Sequence, residues 1–147
     1  MGDTTATRSV PLWVRIGLVA LGVPNALAGA WAVFAPEGWF EDFPGWDPRL
    51  VAADPPYNHH LVTDAGAGLL ASGVILLVAA WLADSRSVRL AVVAFALFAI
   101  PHAWFHVVNP SDGLTSSEDT QNAATLVFAA VASVALFVFA RDRDTST

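Results

Sequence analysis

The residues most able to do chemistry in this chain are its histidines and one carboxylate set among apolar residues. His60 and Asp64 stand four positions apart, as do His102 and His106, and with His59 these complete the four histidines of the sequence. On a helix, residues four apart share a face. If the two faces meet, three imidazoles and a carboxylate converge, a donor set suited to zinc, copper(II) or ferrous iron. The candidate metal ligands are therefore His60, Asp64, His102 and His106. His59 is offset from His60 by about 100° on the helix and is the spare. Asn58, Asn25 and Gln121 are candidates for orienting ligands or substrate. A b-type haem held by one histidine from each pair is the weaker alternative, because the paired spacing fits a single ion better.

Four apolar segments must position these groups: residues 11–35, 60–83, 88–108 and 122–140. Each is close to the ~20 residues that cross a hydrocarbon core as helix. The runs are continuous rather than alternating, which argues against strands. The chain of 147 residues is 55% hydrophobic and only 14% charged, with mean hydropathy +0.54. Soluble domains carry about 25% charged residues. The expected fold class is thus all-α, a four-helix transmembrane bundle in one domain spanning residues 11–140. Residues 1–10 and 141–147 are expected to be short polar tails.

Charge orients the bundle. With four crossings, Arg8, Arg15, Arg86, Arg89, Arg141 and Arg143 fall on one side and Arg49 alone on the other. The positive-inside rule makes both termini cytoplasmic. The tryptophans fit an interfacial belt, with Trp13 and Trp81 near the inner ends and Trp31, Trp39, Trp46 and Trp104 near the outer ends. A cleavable signal peptide is the rival reading of the first segment, but Arg15 interrupts its apolar run and apolar residues continue to Ala35. The expected location is a membrane, crossed several times.

Composition excludes much. There is no cysteine and no lysine, so disulfides, thiolate chemistry and Schiff bases are absent. The net charge of −6 is not the footprint of a nucleic-acid binder. No His-Glu-x-x-His and no Gly-rich phosphate loop is present.

In the first segment, Pro24 predicts a kink, and Gly22, Asn25 and Gly29 share a face that allows close helix approach. The second carries a polar-to-small stripe of His60, Asp64, Gly68 and Ala71/Ser72, suited to facing other helices. Pro101 bends the third segment just before its histidines. Ser116 with Asp119 reads as the cap of the fourth, whose Gln121, Thr125 and Ala129 form a modest stripe. The outer loop 36–57 is long, and it sets Trp39, Phe40, Phe43 and Trp46 among acids and prolines. Loops of this length usually have a role. Its aromatics either lie on the bilayer surface or fold over the bundle as a lid.

The polar cluster has a plain structural reading too, since hydrogen-bonding groups inside a bundle often only hold helices together. Asp64 is the residue that most needs a partner. A carboxylate in a spanning segment costs ~2.5–3.5 kcal/mol at mid-membrane and somewhat less near the surface.

At Pro24-Asn25, Phe43-Pro44-Gly45, Tyr57-Asn58-His59-His60-Leu61-Val62-Thr63-Asp64-Ala65-Gly66, Pro101-His102 and His106, the chain resembles a group of small four-helix bacterial membrane proteins, loosely DoxX-like. The resemblance spans most of the chain. It implies the four-helix fold and a bacterial inner-membrane location, and brings no activity with it. The family pattern has Glu where His59 stands, which makes His60 the stronger ligand of the two.

The leading expectation is an integral membrane protein with a His/Asp metal site in the outer half, acting as a small redox enzyme or in metal handling. The alternatives are a non-catalytic accessory subunit, within a homo-oligomer or larger membrane complex, and a binder of a small lipophilic ligand under the aromatic loop.

Overall fold

The computed structural model describes residues 9–141. Of the expected tails 1–10 and 141–147, residues 1–8 and 142–147, with Arg8 and Arg143, lie outside the described residues. Five helices follow one another: α1 (Leu12–Phe34), α2 (Pro36–Asp42), α3 (His59–Leu82), α4 (Ser85–Val108) and α5 (Ser116–Phe139). All but α2 are long and apolar enough to cross a membrane, the architecture of a multi-pass membrane protein. The end bearing Arg15 and Arg86 is called here the arginine end, and the opposite one the loop end.

Capping sets the helix starts, and two of them differ from the hydropathy reading. The Asp84 carboxylate accepts the backbone N–H groups of Arg86 and Ser87 at 3.1 and 2.9 Å. It satisfies donors that an uncapped helix start leaves open, so α4 begins three residues before its apolar run. α5 begins six residues before its apolar run, behind a capping box of Thr115 and Glu118. The expected Ser116–Asp119 cap is therefore displaced by one residue. Asp119 instead accepts from Ser111 N–H at 3.2 Å and fixes the α4–α5 connection.

The tightest seam joins α1 to α3, which run antiparallel. A methyl group on Gly29 would run into the backbone of Leu70 on α3. One on Gly73 would run into the backbone of Ala26 on α1. Only glycine permits this approach, and with little hydrophobic drive between helices in lipid, such packing is what holds them. α5 packs on α4 as a second pair, and α3 and α4 join the pairs. Inside α1, Pro24 leaves the Ala20 carbonyl without its usual donor. The next carbonyl, that of Leu21, also receives the Asn25 side-chain amide at 2.8 Å.

The core has two parts. The larger lies toward the arginine end, around Val14, Leu18, Leu76, Val88, Val92, Phe95 and Leu136. A smaller cluster at the loop end gathers Ala32, Trp39 and Val62, with Trp31, Phe40, Phe43, Val51 and Leu69 against it. Elsewhere the helices present large apolar side chains outward, among them Leu90, Leu97, Phe128 and Val131. Such a surface suits lipid rather than water.

Candidate functional site

The segment between α1 and α3 decides the shape of the loop end. Residues 36–42, expected as loop, form helix α2. Proline at its first position has no N–H to lose there. After it the chain turns, held by Arg49, whose guanidinium pairs with Asp42 at 3.0 Å and Asp47 at 3.2 Å. The chain then runs to the α4–α5 connection. There Ser111 Oγ donates to the Ala53 carbonyl at 3.1 Å, and Gly113 lies so close to Ala53 that a Cβ would sit 2.5 Å from its oxygen. It returns to α3 through Tyr57, whose hydroxyl meets His59 Nδ1 at 3.0 Å and whose ring packs on Phe40 at 5.2 Å.

The segment thus reaches from α1 to the α4–α5 connection and back. Of the two alternatives for its aromatics, the packing chooses the lid for three. Trp39, Phe40 and Phe43 pack inward with Val51 against Val62, whereas Trp46 stays exposed. Between this segment, α2 and α3 lies an open cleft of about 260 Å³ lined by Trp39, Phe40, Val51, Leu61, Val62 and Ala65, with Asp54 and Asn58 among its polar lining; Leu61, Ala65, Asp54 and Asn58 are exposed at its mouth. Trp39 is 7% exposed. Its indole Nε1 is the one buried side-chain polar atom among the described residues that has no hydrogen-bond partner. Buried donors almost always have a partner, so this one calls for an explanation.

The candidate metal ligands fall into two pairs. His60 Nε2 and Asp64 Oδ2 lie 3.3 Å apart, with side chains 82% and 66% exposed. His102 and His106 have ring centroids 4.9 Å apart and are half-buried. Among the described residues, no three of His, Cys, Asp or Glu stand close enough to hold one ion. The packing therefore does not bring the expected four-residue set together.

The cause is the rotation of α3. Its Gly66 and Gly73 are committed to α1, and Leu76, Ala79 and Ala80 fill the core. His60, Asp64, Gly68 and Ala71 occupy the remaining face, which is exposed. A Cβ on Gly68 would meet nothing within 4 Å. The histidines of α4 do face inward, continuing the row of Val88, Phe95 and Ala99 at helical spacing. His102 stacks on Phe98 at 5.2 Å.

The supporting polar residues have local tasks. Asn58 caps α3, its side-chain oxygen accepting from Leu61 N–H at 3.1 Å. Asn25 is bound to its own helix. Gln121 is exposed on α5. Sequence reasoning passed over the contact of Ala53 with Gly113 and the isolation of the Trp39 indole. Both depend on long-range packing that no local pattern encodes.

No family model, no curated protein and no solved structure matches this chain.

Proposed function

We propose that this is a multi-pass membrane protein that binds a small, neutral lipophilic molecule in the cleft beneath segment 43–58, with both termini cytoplasmic and the cleft on the opposite side. The observation that carries this reading is Trp39, an indole donor buried without a partner in the wall of an apolar cleft. Ligand pockets combine mostly apolar walls with a few polar groups that fix orientation. The lining here has that character. A carbonyl entering the cleft would pair with Trp39 Nε1 as the indole turns toward it, while the apolar body would lie on Leu61, Val62 and Ala65. Asp54 in the lining disfavours anionic ligands. At about 260 Å³, just below the usual range for a small-molecule site, the cleft fits a compact molecule or one end of a longer chain.

The test is equilibrium binding of methyl laurate, followed by fluorescence in a variant whose only tryptophan is Trp39. Saturable binding that Ala65→Phe abolishes supports the reading. Non-saturable partitioning, identical in both proteins, refutes it.

A second reading rests on the inward-facing His102–His106 pair. Two imidazoles one helical turn apart supply half of a tetrahedral zinc or copper site, to be completed by ligands from outside this chain or by water. Metal titration of the purified protein tests it. Loss of a stoichiometric site in His106→Ala supports it, and wild-type protein without one refutes it.

A further inference from the structure

The arginine end carries a second concavity, unrelated to the cleft. It is a groove of about 530 Å³ between α1 and α3, lined by Leu12, Arg15, Ile16, Val19, Leu77 and Trp81, together with Ala20 and Ala80. Leu12, Ile16, Val19 and Trp81 are all well exposed, so the groove opens where lipid chains lie. Arg15 is the only charged residue in it, one turn into α1. Its Nε donates to the Ala80 carbonyl at 3.0 Å. That carbonyl is one of the last four of α3, which lack partners within the helix. The bond also places a cation at the negative end of the helix dipole.

Tethering at Nε leaves the two terminal nitrogens of the guanidinium. Among the described residues no carboxylate lies within ion-pair distance of Arg15. A guanidinium presents its remaining donors as a rigid fork that matches phosphate oxygens. It lies at the depth where a span meets the headgroups, beside Trp81, a residue type enriched at that level. Below it run the apolar walls of Ile16, Val19, Ala20 and Leu77.

We infer that this groove is a binding site for an anionic phospholipid of the leaflet at the arginine end. Arg15 holds the phosphate, and one acyl chain lies between α1 and α3 along Ile16, Val19 and Leu77. Basic pockets between spanning helices bind acidic headgroups by this chemistry. Arg89, at the same end, is arranged differently. Its guanidinium lies over the Phe137 ring at 5.9 Å.

The experiment is native mass spectrometry of the purified full chain in micelles containing phosphatidylglycerol and phosphatidylcholine in equal amounts. Wild type is expected to retain phosphatidylglycerol in preference. Arg15→Gln should lower that retention about five-fold, the effect of one arginine at a membrane surface. Arg86→Gln, outside the groove, should leave it unchanged. Because Arg15 also caps α3, Ala20→Trp provides a variant that fills the groove without touching the cap, and it should displace the lipid as well. Equal retention of the two lipids by wild type overturns the inference. So does undiminished phosphatidylglycerol in Ala20→Trp, or an equal loss in Arg86→Gln and Arg15→Gln.

Discussion

Gly113→Ala should lift the roof of the cleft. The added methyl carbon would sit 2.5 Å from the Ala53 oxygen and 2.7 Å from its Cα. Both are backbone atoms, so no side chain can swing aside to relieve the contact. Forcing an extra carbon into packed structure costs about 1–3 kcal/mol. Here that cost falls on the closed position of segment 43–58, because α4 and α5 are held by their own packing. At about 2 kcal/mol, the open population rises ~30-fold, each 1.4 kcal/mol being a factor of ten. The chain has no cysteine, so a single introduced thiol gives an unambiguous readout. Val62, 7% exposed, lies under Trp39 and Val51. In a Val62→Cys background, maleimide labelling in detergent should accelerate ~30-fold when Gly113→Ala is added, provided that opening is fast relative to reaction. An unchanged labelling rate would show that the contact of Ala53 with Gly113 does not hold the segment down.

Other substitutions probe the fold around the site. Gly73→Leu should destabilise the protein by about 3 kcal/mol or more by driving α1 from α3, whereas Gly68→Leu, facing open space, should shift the melting temperature little. Asp64→Asn should leave stability unchanged or raise it, because a carboxylate on the outward face of a spanning helix is unfavourable there; a loss of about 3–5 kcal/mol, the cost of breaking a buried pair, would mean that Asp64 is enclosed by partners. Asp84→Ala should cost about 1 kcal/mol through loss of the α4 cap. Hydrogen bonds from the Ser87 side chain and backbone hold the Asp84 carboxyl below its ordinary value. Its contribution is therefore complete above the unfolded value near 3.9 and lost as pH falls through the lower folded value. Wild type and Asp84→Ala should accordingly converge in stability at strongly acidic pH and differ at neutral pH, as thermal unfolding in detergent will register.

Composition and hydropathy sufficed to read the four long helices, because a span must be continuous and apolar over its whole length. Their starts were less legible. Polar residues such as Thr115, Glu118 and Asp84 lie outside the apolar run and yet begin the helix by capping it. The seven residues of α2 are too few for a periodic signal. The larger difference is at the site. α3 has small residues on two faces, Gly66 with Gly73 and Gly68 with Ala71, and period alone placed His60 and Asp64 with the second pair. Which face meets α1 depends on where Gly22, Ala26 and Gly29 stand on the other helix, and the rotation that follows turns His60 and Asp64 outward. That His102 and His106 share a face was legible from their spacing; that this face continues the row of core residues on α4 emerges only from the packing.

The central claim is that the cleft under segment 43–58 holds a neutral lipophile, and photolabelling tests it most directly. A diazirine-bearing fatty acid methyl ester is irradiated with the purified protein, and the labelled peptides are mapped. The account predicts labels on Trp39, Phe40, Leu61 and Ala65, competed by unlabelled ester and lost in Ala65→Phe. Labels spread over the outward faces of α4 and α5, at Leu97 or Phe128, and indifferent to competitor would contradict it.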